Sequence, residues 1–454
     1  MKNFKKILCI ALSILLIAQI GVLAASAAGK SYTIVSPYED VIWEGDDAWG
    51  AYKGTLHSHT TYSDADDDLK TMVMAHYDRD FDFLAIADHG VTGVEWNKTP
   101  TILPLYLYQL IIGKKFTTLS NEEFFAVQNG TYNNRGKGMT CVTGANELNF
   151  VSLTKNHVNG FFINSKADGF LGGENEKGYT DALELIDKLG GLSHINHPGD
   201  WLASNQNPDV VNDPAKVEFF ADLILKYDSC LGMEVFNERN GTTGYDRVLW
   251  DNLLMYTLPY GKTVIGFSNN DTHHPGTIDT SFSIFMMEEN TMDEVKETMQ
   301  SGAFFMVTRI LRENKLNEIG PAQSIDAANT DTAYPMFNKL TVDGHKITVS
   351  VKDAEQVQFI ANGKVIAKTD VDVNGATVTL DLDTVENAAD LLYVRVEALG
   401  EGGITLSQAL VIDNGSEKLD YEAITRDCAE LFEYIYRSTK LCSIINELIA
   451  LIKG

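Results

Sequence analysis

Gly54-Thr55-Leu56-His57-Ser58-His59-Thr60-Thr61-Tyr62-Ser63-Asp64 closes the short run 52–56 with two histidines two residues apart. Alternate residues of a strand point to one side. A His-x-His pair at a strand mouth is therefore half of a metal site. Three further segments set the same ligand types at the ends of similar runs: Ala87-Asp88-His89, His194-Ile195-Asn196-His197-Pro198 and Asn270-Asp271-Thr272-His273. The expectation is a multinuclear metal site that serves hydrolysis.

Working outward, seven short apolar runs suit buried strands: 52–56, 81–87, 139–146, 157–163, 191–195, 230–236 and 263–268. Helical patterns fall between several of them. Ala182, Leu185, Ile186 and Leu189 form a stripe closed by Gly190-Gly191. Asp213-Pro214 opens another helix, and 69–79 and 245–256 read as helices too. Alternating strand and helix predicts a parallel sheet, and ligands gathered at carboxyl ends predict a barrel with its site on that face. Residues 91–138 interrupt the pattern as an insertion carrying Tyr106, Tyr108, Phe116, Phe124, Phe125 and Tyr132. It is read either as a pocket lid or as a surface excursion packed by its own aromatics.

The region around 320–336 is polar and reads as a linker after a hydrolase domain spanning 29–319. From 337 to 414 the apolar period becomes two, as in Ile347, Val349 and Val351, and Asn362-Gly363 marks a hairpin. This predicts a small all-β sandwich. The segment 415–454 follows, with 419–452 helical and Ile424, Cys428, Leu431, Ile435, Ile445, Leu448 and Ile452 on one face. Two readings fit that face: a membrane-surface or partner helix, or a helix that packs on its own domain or self-associates.

Residues 1–28 read as a secretory signal peptide: Lys2, Lys5 and Lys6, an apolar stretch from Ile7 to Leu23, then Ala25-Ser26-Ala27-Ala28. The mature protein would be secreted or held at the cell surface. Cleavage removes three lysines and no acid, so the formal charge goes from −27 to −30. Such a charge argues against a nucleic-acid backbone as partner. It leaves room for a small phosphorylated substrate, because bound cations reverse the local sign. Four cysteines remain after cleavage, with no disulfide framework and no Cys-x-x-Cys pair.

Nine of ten histidines lie between residues 57 and 274. Six of these, His57, His59, His89, His157, His197 and His273, with Asp64, Glu147 and Asp271 resemble the ligand set of the polymerase-and-histidinol-phosphatase (PHP) family of metal-dependent phosphoesterases. The resemblance covers roughly residues 33–310. It includes a leading segment, Ser36-Pro37-Tyr38-Glu39-Asp40-Val41-Ile42-Trp43, similar to that of secreted members. It implies a distorted (β/α)7 TIM-like barrel and two or three divalent ions: manganese, iron or zinc. One ion would take His57, His59, Glu147 and Asp271. A second would take Glu147, His157 and His197, and a third Asp64, His89 and His273.

The resemblance also implies that Asp64, His89, Asp271 and His273 serve catalysis directly, with Asn237 and Arg239 meeting substrate. A metal-activated water would attack a phosphomonoester or phosphodiester. His194 competes with His197, and His274 with His273. The place of His197 directly before Pro198, as in the family, and the Asp271-Thr272-His273 spacing favour His197 and His273. His76 reads as structural. Where the family often has Gly after the Ser-Asp turn, this chain has Ala65. Two other functions compete. One is an amidohydrolase-like hydrolase of non-phosphate substrates, for which no bridging lysine stands at a ligand position. The other is a non-catalytic, metal-stabilised surface-binding protein.

Overall fold

The structure, a computed structural model, describes residues 31–100, 107, 110–111, 113–149, 155–237, 243–310 and 332–429. The signal-peptide reading of 1–28, Arg239, most of the linker and the tail beyond 429 lie outside them. The strands are β1 (Thr33–Val35), β2 (Gly50–Thr55), β3 (Phe83–Ala85), β4 (Thr140–Val142), β5 (Asn146–Leu148), β6 (Val158–Phe161), β7 (Leu192–Ile195), β8 (Cys230–Phe236), β9 (Ile265–Ser268), β10 (Ser281–Met287) and β11 (Phe304–Thr308). After them come β12 (Met336–Asp343), β13 (Lys346–Lys352), β14 (Gln356–Ala361), β15 (Lys364–Asp370), β16 (Ala376–Asp381), β17 (Tyr393–Gly400), β18 (Gly403–Leu406) and β19 (Leu410–Asp413).

Each of the seven expected runs overlaps a strand, but the pairing corrects the expectation of a parallel sheet. Among the described residues no single ring closes. β2, β3 and β4 are parallel neighbours in a mixed sheet continued antiparallel by β10 and β11. β5 to β9 form a second sheet, in which β6 is antiparallel to both β5 and β7. The seams between the sheets carry isolated parallel bridges, Ser58 with Thr272 and His89 with Glu147. Where β9 meets β10 and β11, side chains bridge the gap. Ser268 Oγ donates to the Val307 carbonyl at 2.6 Å, and Ser283 Oγ donates to the Ser268 carbonyl at 3.0 Å.

The helices begin and end where local chemistry directs. Asp68 caps helix Leu69–Tyr77 by accepting from the Thr71 amide, so one acid of the 66–68 run is a cap. Asp213 caps helix Pro214–Lys226, with Pro214 at its first position. Helix Glu176–Leu189 stops at Gly190, whose φ of +71° suits glycine. Helix Asp246–Thr257 packs behind β8 and buries Trp250, whose indole N–H donates to the Val264 carbonyl.

The expected sandwich is not free-standing. β12, β13 and β16 make a separate three-stranded sheet. β14, β15, β17, β18 and β19, however, belong to the same sheet as β2, because β18 pairs with β11. Asn362 and Gly363, with φ of +47° and +73°, turn β14 into β15 as a hairpin dipeptide should. Residues 421–429 are helical, and the rest of the expected tail helix lies outside the described residues. Among the described residues no helix is long and apolar enough to cross a membrane.

Candidate metal centre

Six segments leave their strands at one end of the two sheets and lace together through the backbone. The His59 amide donates to the Thr272 carbonyl, and the Asp271 amide to that of His57, both at 3.0 Å. Ala87 donates to Ser58, and Asn196 donates to His157. This lacing brings all nine expected ligand residues into one polar cluster.

The innermost group is His57, His59, Glu147 and Asp271. His57 Nε2 and His59 Nε2 face each other at 3.1 Å. His57 Nε2 lies 3.2 Å from both Glu147 Oε2 and Asp271 Oδ1. His59 Nε2 lies 3.1 and 3.0 Å from the same two oxygens. A cation bonded at about 2.0–2.1 Å needs ligand atoms about 2.8–3.4 Å apart at octahedral or tetrahedral angles. The donor set therefore fits a divalent cation both in chemistry and in spacing.

Glu147 links this group to the rest. Its Oε2 is 3.2 Å from His89 Nε2, while Oε1 is 3.1 Å from His157 Nδ1 and 3.2 Å from His197 Nε2. Two further groups have ligand atoms within 4.8 Å of one another: His89, Glu147 and His157, and His59, Asp64 and His89. These groups share Glu147 and His157 with the expected second set, and Asp64 and His89 with the expected third. His197 and His273 remain adjacent: His273 Nε2 lies 3.3 Å from Asp64 Oδ1. Two of these residues carry strained backbone, His197 at φ +25° and Asp271 at φ +43°. Such strain persists where surrounding contacts enforce it, as at functional sites.

Most of the cluster is buried, and it reaches solvent at Asp64, whose side chain is 52% exposed, and His273 at 34%. Burial opposes charge on His57 and His59, yet the neighbouring carboxylates outweigh it and hold both well above the usual histidine range. His197 is pushed up to about 9 in the same way, chiefly by Glu147 against its burial. Burial takes His89 down to about 4. Burial would raise the Glu147 carboxyl, but His89, His57 and His157 hold it well below its ordinary value.

The competing histidines fall elsewhere. His194 lies in the core between Phe161 and Phe267, and burial lowers it to about 4. Exposed His274 accepts from the Gly276 amide. His76 contacts the Met72 carbonyl through Nδ1. Asn237, expected to meet substrate, directs its amide to Glu234 Oε2 at 2.8 Å and Asp271 Oδ2 at 3.3 Å.

The sequence places Glu234-Val235-Phe236-Asn237 at a strand end similar to a pocket-facing family segment, but gives Glu234 itself no role. Its Oε1 is 2.8 Å from His57 Nδ1 and accepts from Asn269 Nδ2 at 2.9 Å. Its Oε2 accepts from the His197 amide at 3.1 Å. Glu234 therefore turns the His57 Nε2 lone pair inward and holds the strained His197 turn. The available signal was one acid inside the apolar strand Cys230–Phe236. Glu234→Ala is expected to weaken divalent-metal affinity 10- to 100-fold. In both proteins that affinity should rise with pH, because raised imidazoles must lose protons to ligate. Calorimetric metal titrations at pH 6 and 8 check both points.

No family model matches the chain, and no curated protein matches it. Several solved structures are similar in fold. One is a two-domain protein containing a predicted PHP-like metal-dependent phosphoesterase from Bacteroides vulgatus, at 13% identity, 85% of this chain, 100% of that chain and a TM-score of 0.40. A lesion-specific endonuclease from Pyrococcus furiosus matches at 12% identity over 59% of this chain and 61% of its own, with a TM-score of 0.32. An amidohydrolase from Chromobacterium violaceum matches at 15% identity over 50% and 89%, with a TM-score of 0.28. At these TM-scores, the chemical reading rests on the site itself.

Proposed function

We propose that this chain is a secreted, metal-dependent phosphoesterase acting on a small phosphorylated substrate. The observation that supports it is the convergence of His57, His59, Glu147 and Asp271 at 3.0–3.2 Å, with Glu147 shared by further histidines. Nitrogen and carboxylate donors suit manganese, iron or zinc. His57, His59, Glu147 and Asp271 would hold one ion. Glu147 with His157, and with His89 or His197 beside it, would hold a second. Asp64, His89 and His273 would hold a third. The distorted-barrel reading belongs here too, with the bridges at Ser58–Thr272 and His89–Glu147 as what remains of its closure.

When bound, such ions supply Lewis-acid charge and a water of lowered pKa. The protein's own residues do the rest. Glu234, Asn196 and Asn237 fix the ligand side chains; Asn196 Nδ2 donates to Glu147 Oε1 at 2.7 Å. Burial of the inner group excludes bulk water and strengthens its electrostatics. With only the inner positions filled, Asp64 and His273 stay at the mouth, where His273 Nε2 can return a proton to the departing oxygen.

The test uses matched aryl phosphomonoester and phosphodiester substrates with protein reloaded in turn with manganese, iron and zinc. Turnover of at least one ester is expected, falling at least about 10²-fold in Asp271→Ala. Hydrolysis of amides or lactones with both phosphoesters inert would falsify the reading.

A further inference from the structure

We infer that the short strip Lys114–Thr117, midway along the insertion, controls how firmly the outermost metal position is held. It does so by bracing the turn that carries Asp64. The inference rests on the metal-centre reading above and deepens it.

Asp64 is the most solvent-exposed of the nine ligand residues, and it stands on a turn with neither helix nor strand around it. Contacts from three sides keep that turn in place, one of them the Asp66 amide donating to the His273 carbonyl at 3.1 Å. On the inner side Asp88 accepts from the Thr60 amide at 2.7 Å, from Thr60 Oγ1 at 2.6 Å and from Ser63 Oγ at 2.5 Å. The next residues along are held by the strip. Lys114 Nζ donates to the Ala65 carbonyl at 2.5 Å and lies 3.5 Å from Asp66 Oδ1. Thr61 Oγ1 donates to the Lys115 carbonyl at 2.5 Å. The Phe116 and Tyr62 rings pack with centroids 5.3 Å apart. The Lys70 amide donates to the Thr117 carbonyl at 2.9 Å.

Four consecutive residues of the insertion thus each hold a different point between Thr61 and Lys70. The inner ligands have no such dependence, since they sit in strands or in turns laced to neighbouring strands. Loss of the strip's contacts should therefore be felt at Asp64 and hardly at all by His57, His59 or Asp271. Partners that orient a ligand typically carry 10- to 100-fold of the metal affinity. Ala65 fits this arrangement: its carbonyl is a fixed acceptor for Lys114, and its side chain is fully buried.

The experiment is a metal count and affinity series on the full chain, titrated with zinc and separately with manganese. It compares the parent, Lys114→Met, Lys114→Arg, Asp64→Ala and the Lys114→Met/Asp64→Ala double variant. Melting of the metal-free forms serves as a check on folding. In Lys114→Met one metal position should weaken by about tenfold or more while the others keep the parent's affinity. Lys114→Arg, which keeps a donor, should recover most of the loss. The double variant should lose no more than Asp64→Ala alone, because both changes act on one position. Parent-like affinity at every position in Lys114→Met, or an even weakening of all of them, overturns the inference. So does a double variant whose losses add. A parent chain that binds no metal overturns instead the metal-centre reading on which the inference stands.

Discussion

Glu147→Gln should strip the centre of more than one metal position at once and lower phosphoesterase turnover by roughly 10³-fold or more. The expectation follows from the sharing of its two oxygens. Oε2 lies 3.1–3.2 Å from His57, His59 and His89, and Oε1 lies 3.1–3.2 Å from His157 and His197. No other carboxylate in the cluster touches five imidazoles. Asp271 contacts His57, His59, His197 and, more distantly, His273, while Asp64 lies near His59, His89 and His273 at 3.3–3.7 Å. Glutamine keeps the volume and one carbonyl oxygen, so a loss traces to charge and not to a cavity. The measurement is metal stoichiometry after dialysis, paired with turnover of the preferred aryl ester. Asp64→Ala on the same scale should lose only the outermost position. If Glu147→Gln kept its metals and more than a tenth of parent turnover, Glu147 would be no bridging ligand.

Much of this site was legible because metal chemistry restricts residue type. Histidines and carboxylates at the ends of apolar runs are few, and alternate spacing marked His57 with His59 and Asp271 with His273. How they group was not legible. Whether His89 or His197 completes the set around Glu147 depends on side-chain distances between loops more than forty residues apart in sequence. The parallel barrel was overdrawn for a related reason. β6 reads as an apolar run, but such a run carries no mark of its direction, and β6 pairs antiparallel with both β5 and β7. β10 and β11 are fully buried apolar runs, which periodicity alone cannot assign to a sheet or to a partner. Their antiparallel pairing with each other, and of β11 with β18, draws the C-terminal strands into the first sheet.

That junction carries the second large expectation. Arg395 on β17 is fully buried and forks onto Asp251 of helix Asp246–Thr257, with Nε to Oδ1 at 2.8 Å and Nη2 to Oδ2 at 2.7 Å. Its Nη1 donates to Glu397 Oε1 at 2.6 Å. Burial works against the Arg395 charge, and the two carboxylates more than restore it. Truncating the arginine leaves Asp251 with the Tyr393 hydroxyl, and Glu397 with Gln358 and a longer contact to Arg247. Two buried carboxylates would then share much weaker compensation. Arg395→Ala should therefore cost about 3–5 kcal/mol, the usual penalty for breaking a buried pair from one side. In a thermal melt the midpoint should fall by the order of 5–10 °C. Arg395→Met combined with Asp251→Leu and Glu397→Leu should recover a substantial part of the loss, since an apolar replacement leaves no charge stranded. A parent-like midpoint in Arg395→Ala would mean that water or a rearranged Arg247 already serves those carboxylates. The consequence reaches the metal centre, because the helix that receives Arg395 packs behind β8, the strand that supplies Glu234. Removing the strands beyond residue 336 should therefore destabilise the metal-bearing sheets themselves and not release them as a free-standing enzyme.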